Sequence, residues 1–140
     1  MVKNTLIVLI LLVLLGSVIG KADQEDSAPA MYSVIQAQLD AFARNDAVNA
    51  YAQASPRIQS IFPTTEIFMR MVRQGYSVLI SPAFVSFLGV VDDSRRPVVR
   101  VLVEGRDGRR WMAFYTMVQL DDASWRIGGC FLTKLSEESA

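Results

Sequence analysis

Few side chains in this 140-residue chain could do chemistry. It has no His and one Cys, Cys130. Without His there is no Ser-His-Asp or Cys-His nucleophile, no imidazole acid or base, and no His-containing zinc site. One Cys leaves no CxxC pair for metal or redox work. What remains is carboxylate and tyrosine chemistry, which near neutrality needs an acid of tuned pKa in an apolar setting with a Tyr or second acid as hydrogen-bond donor. Asp40 is the first acid to consider. Its spacing puts it off the Leu39 face and four residues before Arg44, so a surface ion pair outweighs a catalytic role. Asp46 reads as a helix cap and Glu66 as a first-turn partner of the helix dipole. No catalytic residue, metal site or cofactor is therefore assigned.

The polar side chains that could enter an apolar interior are Gln38, Tyr51, Gln59, Tyr76 and Thr116. A buried Tyr usually satisfies one backbone group and does no more. Arg57, after Ser55-Pro56, could stand at a pocket mouth and meet an anionic ligand. Tyr51, Arg57, Tyr76 and Thr116 are the candidate pocket residues.

The elements that must position them divide the chain in two. From Met31 the apolar residues Met31, Val34, Ile35, Leu39 and Phe42 recur at helical spacing, with Asn45 as a stop. Asp46 can cap a short second helix to about Ala54, and Arg57 to Phe62 is one helical turn closed by Pro63. A third helix is expected from Thr65 to Gln74, capped by Thr64 and stopped by Gly75 in a left-handed conformation. Four strands follow: Phe84 to Val91, Pro97 to Glu104, Arg109 to Leu120 and Trp125 to Lys134. Helices followed by antiparallel strands give an α+β domain, with three helices packed on one face of a curved four-stranded sheet.

If both later hairpin loops hold an even number of residues, Glu104 opposes Arg109 and Leu120 opposes Trp125. The core face then carries Val99, Val101, Val103, Met112, Phe114, Thr116, Val118, Leu120, Trp125, Ile127 and Phe131. The other face carries an apolar and aromatic patch of Val98, Leu102, Trp111, Tyr115, Met117 and Leu132, rimmed by Arg100, Glu104, Arg126 and Lys134. Monomers seldom leave such a patch open, and aromatic centres with polar rims are how interfaces are built. A second copy of the chain is the favoured cover, before a partner protein or the chain's own Tyr76 to Pro82. Cys130 falls on the same face, as a small apolar side chain or as a thiol that could pair between subunits.

At the N-terminus, Lys3 precedes an apolar run from Leu6 to Leu15 that resumes at Val18-Ile19 and ends in Gly20-Lys21-Ala22. This is export architecture, with cleavage expected before Asp23. The alternative is an uncleaved anchor, the one route by which this chain would hold a membrane, although 14 residues are short of the roughly 17–25 a span needs. Both place the domain in the periplasm or tethered to the inner membrane. Residues 1–22 are the signal peptide or anchor, 23–29 a flexible linker, 30–135 the folded domain and 136–140 a tail. The leader holds 15 of the roughly 71 hydrophobic residues, which leaves an ordinary hydrophobic share for the folded part. Removing Lys3 and Lys21 leaves 12 basic against 14 acidic residues, with no basic run beyond pairs, which argues against nucleic acid as a partner.

Four segments carry a likeness: Ala54-Ser55-Pro56-x-Ile58-Gln59-x-x-Phe62, Phe68-x-x-Met71-Val72-x-x-Gly75-Tyr76, Trp111-x-Ala113-x-Tyr115 and Trp125-Arg126-Ile127-x-Gly129-Cys130-x-Leu132. Together they resemble a bacterial family of exported proteins known as domain of unknown function 4864. The resemblance implies a cone similar to nuclear transport factor 2 and the cystatins, and it supplies no catalytic residues. Cones of this kind serve isomerases, dehydratases and binding modules alike, so fold does not choose among them. The expectation is an exported, non-catalytic binding domain acting through a homodimer or a partner on the open sheet face. The alternative is an isomerase or dehydratase with Asp40 or Tyr76 in the cone.

Overall fold

A computed structural model of the chain describes residues 22–92 and 96–137. The segment expected as an export leader, residues 1–22, lies outside these residues except for Ala22. Among them, no helix is long and apolar enough to cross a membrane.

Helix α1 spans Ala22–Ala43 and is followed by α2 (Ala47–Ala52), α3 (Pro56–Ile61), α4 (Thr65–Gly75) and a 3-10 turn at Ser77–Leu79. Met31, Ile35, Gln38, Leu39 and Phe42 form the buried stripe of α1, at the spacing the sequence predicts. The helix begins at Ala22, however, and takes in the segment expected as a linker. Pro29 lies inside it at the cost of one backbone bond, and the Ser33 hydroxyl donates to the Pro29 carbonyl at 2.9 Å.

The short helices start where hydroxyl and carboxylate caps allow. Asp46 accepts from the Asn49 N–H, Ser55 from Ile58 and Thr64 from Ile67, so each first turn has a donor satisfied. Asn45 ends α1 in the left-handed region at φ 57°. Gly75 is not left-handed; α4 closes through the Tyr76 N–H onto the Val72 carbonyl at 2.8 Å.

Strands β1 (Phe84–Asp92), β2 (Pro97–Glu104), β3 (Arg110–Gln119) and β4 (Trp125–Lys134) form one antiparallel sheet in sequence order. Helix α1 packs across it against β1, β2 and β4. The linker between α2 and α3 is tied to β4: Ser55 N–H donates to the Ile127 carbonyl at 2.9 Å, and Ile127 N–H to Gln53 at 2.8 Å.

The even-loop register is overturned. Glu104 pairs with Arg110 and Gln119 with Trp125, one residue off the expectation in each hairpin. Both turns are three-residue loops with a left-handed third position, which adds one residue to the count. In the first, Gly105 and Arg109 close the loop at 2.9 Å with Gly108 at φ 78°. In the second, Leu120 and Ser124 close it at 2.8 Å with Ala123 at φ 68°. An Asp side chain braces each, Asp107 accepting from Arg109 N–H and Asp122 from Ser124 N–H.

A shift of one residue sends every side chain of β3 to the opposite face. The core side of the sheet is Val99, Val101, Val103, Ala113, Tyr115, Met117 and Ile127, all buried. A bulge between Thr116 and Met117 then resets the parity of β4 and turns Cys130 and Leu132 inward. Glycine is needed there: a Cβ on Gly128 would come within 2.6 Å of Val118 Cγ2.

Candidate functional site

Two surfaces result from this register, one inside the cone and one on the back of the sheet.

Inside, a cavity of about 250 Å³ lies between the helices and β4. Its walls are Phe42, Ile58, Phe62, Phe68, Met71 and other apolar side chains, with Gln38, Tyr76 and Cys130 as the polar ones. The Tyr76 hydroxyl donates to the Cys130 carbonyl at 2.9 Å and so links the end of α4 to β4. Gln38 Nε2 donates to the Ala50 carbonyl at 3.1 Å. Burial pushes the Cys130 thiol up to about 12, with the neighbouring Tyr115 hydroxyl offsetting part of that. Burial likewise raises Tyr76, and Tyr115 by more, with Cys130 adding to both. The cavity walls are thus neutral at physiological pH, and the thiol is a poor nucleophile.

Of the candidate pocket residues, Tyr76 alone lines this cavity. Tyr51 stands beside it: its hydroxyl donates to the Phe62 carbonyl at 2.7 Å, and its ring tilts against Phe68 at 5.3 Å between centroids. That is the structural role a half-buried Tyr most often has. Arg57 is exposed on α3 and contributes nothing to the walls. Thr116 is corrected by the register: it pairs with Val98 on the back of the sheet. Asp40 is exposed on α1, where its carboxylate accepts from Gln36 Nε2 at 2.8 Å. Arg44 pairs instead with Asp46 at 3.4 Å. The alternative that placed Asp40 in the cone has no carboxylate there among the described residues. Nor do three Cys, Asp or Glu side chains gather among them to hold a metal ion.

The back of the sheet does carry an apolar patch, with different members. Val98 and Leu102 face outward as expected. Tyr115 and Met117 are fully buried on the opposite side. Leu132 packs on the core, and Trp111 lies on the helix side beside Val78 and Ile80. Their places are taken by Met112, Phe114 and Phe131, with Phe84, Leu88 and Val91 from β1. Phe131 is 66% exposed and Phe84 53%. Phe114 and Phe131 are cross-strand partners whose rings tilt together at 6.4 Å. Arg100, Glu104 and Arg110 lie among or beside them, and Arg100 Nη2 donates to the Leu88 carbonyl at 3.2 Å. Cys130 faces the cavity rather than this patch, so the intersubunit thiol pairing expected there loses its geometry. The signal that would have found the true members is the pair of Asp-Gly and Asp-Ala turns, whose third loop position sets the parity.

The chain belongs to the family described as domain of unknown function (DUF4864), whose model matches residues 24–140. No curated protein matches it. Among solved structures it is similar to an NTF-2 like protein of unknown function from Silicibacter pomeroyi, at 15% identity and a TM-score of 0.54, covering 79% of this chain and 98% of that one. A second, an NTF2-like protein of unknown function from Shewanella baltica, matches at 12% identity and a TM-score of 0.55, covering 81% of this chain and 97% of that one. The fold is therefore NTF2-like, the helix-and-sheet cone the element order implies.

Proposed function

We propose that this DUF4864 domain acts by binding rather than catalysis, and that the back of its sheet is where two copies of the chain meet. The observation that carries the reading is the exposed Phe131 ring paired with half-buried Phe114, set among Leu102, Met112 and Val98 on the sheet face opposite the helices. Four strands about 4.8 Å apart and some nine residues long span roughly 19 by 30 Å, near 600 Å². A pair would then bury roughly 1,200 Å², the low end of stable interfaces. Both charge signs occur around the patch, at Arg100, Arg110 and Glu104, which suits a two-fold contact in which each surface meets its own copy.

The export leader supports a place of work outside the cytoplasm. N-terminal sequencing of the protein from its native envelope tests this, since a first residue at Asp23 means a cleaved leader and an intact Met1 means an anchor.

Sedimentation velocity of the chain at tens of micromolar tests the pairing. Phe131→Asp puts a charge on the most exposed aromatic ring of the patch while leaving the core and the leader untouched. A dimer that this change converts to monomer is the expected result. A monomeric wild type, or a dimer indifferent to Phe131→Asp, removes the proposal.

A further inference from the structure

The cavity inside the cone has a chemical selectivity of its own, separate from the sheet back. Gln38 is 95% buried, being 5% exposed, and lines the cavity. Its Nε2 is committed to the Ala50 carbonyl at 3.1 Å, and that acceptor dictates which end of the amide points there. Its Oε1 accepts no hydrogen bond among the described residues. That oxygen is not sealed from water, so a ligand that displaces water from it must supply a donor or leave a polar group unpaired at a cost in free energy.

The other polar groups on the wall point the same way. The Tyr76 hydroxyl spends its proton on the Cys130 carbonyl and can only accept from the cavity side. No Asp, Glu, Lys or Arg lines the space among the described residues, so a charged molecule would enter without a counter-ion. An apolar cavity of roughly 150 Å³ holds benzene, which makes about 250 Å³ suited to a fused bicycle of indole size.

We infer that the cone binds a small, uncharged, mostly apolar ring molecule that donates one hydrogen bond, N–H or O–H, to Gln38 Oε1. Phe42, Ile58, Phe68 and Met71 supply the apolar contact, and Gln38 selects for the donor.

The test is calorimetric titration of the full chain with three probes: indole, 1-methylindole, which lacks the N–H, and indole-3-acetate, which adds a charge. Indole should bind, and each of the other two should bind about tenfold more weakly, the scale of one lost hydrogen bond or an unpaired charge. Gln38→Met should bring indole down to the level of 1-methylindole. Because Gln38→Met also loses the bond to Ala50 and can fail to fold, Ile58→Trp provides a second arm: it fills the cavity from half-buried α3 and should abolish indole binding. No heat with indole at millimolar concentration overturns the inference. So does equal affinity for indole and 1-methylindole, or indole binding that survives Ile58→Trp.

Discussion

The Tyr76 hydroxyl reaches across 54 residues of sequence to donate to the carbonyl of Cys130 at 2.9 Å. It ties the end of the last helix to the edge strand β4 beside the cavity. Tyr76→Phe keeps the ring and removes that bond. Chemical denaturation should show a loss of about 1 kcal/mol, the usual net value of one such hydrogen bond. A change within 0.3 kcal/mol of zero would mean that water replaces the hydroxyl without cost.

Cys130 makes stability depend on alkaline pH. Its thiol titrates near 12 in the folded chain against a reference of 9.0. The folded state therefore holds its proton where the unfolded state has lost it, so stability is complete below about pH 9 and falls as pH rises toward 12. The slope approaches about 1.4 kcal/mol per pH unit in that window. Tyr76 and Tyr115, both raised, steepen the fall above pH 10. Urea midpoints at pH 8 and pH 10 should differ for the wild type and differ less for Cys130→Ala.

Tyr115 is fully buried, and its hydroxyl makes no hydrogen bond of good geometry, although the Cys130 thiol lies beside it. Removing an unsatisfied buried hydroxyl relieves its desolvation cost. Tyr115→Phe should stabilise the fold by about 1 kcal/mol in the same denaturation assay. A loss of stability instead would show that the thiol contact is a true hydrogen bond.

Ala123 holds φ 68° in the second hairpin, the position Gly108 occupies at φ 78° in the first. An L-residue there costs about 1–2 kcal/mol in backbone sterics, part of which glycine returns as unfolded-state entropy. Ala123→Gly should raise the thermal midpoint by a few degrees, and Gly108→Ala should lower it.

Trp111 and Phe131 should behave oppositely. Trp111 lies on the helix side of the sheet, so Trp111→Asp should destabilise folding by about 2 kcal/mol or more. Phe131→Asp, on the exposed side, should leave the unfolding free energy, measured at concentrations where both proteins are monomeric, within about 0.5 kcal/mol of wild type. Two unfolding free energies that fall together would contradict the face assignment.

The order of elements was legible in the residues because local physics decides it. The α1 stripe from Met31 to Phe42, the caps at Asp46, Ser55 and Thr64, and the four β-branched and aromatic runs each announce themselves within a few positions. Which side of β3 meets the helices was not legible from the strand residues, since Trp111 to Leu120 is apolar on both faces. That choice turned on one extra residue in each hairpin, set by the left-handed Gly108 and Ala123, and on the bulge beside Gly128. Because strand side chains alternate with a period of two, those few backbone angles sent Tyr115 and Met117 into the core and Phe114 and Phe131 to the outside. Gln38 shows the same division. Its place on the buried stripe follows from its spacing, but only the packed helices bring Ala50 to one end of its amide and set the residue in the cavity wall.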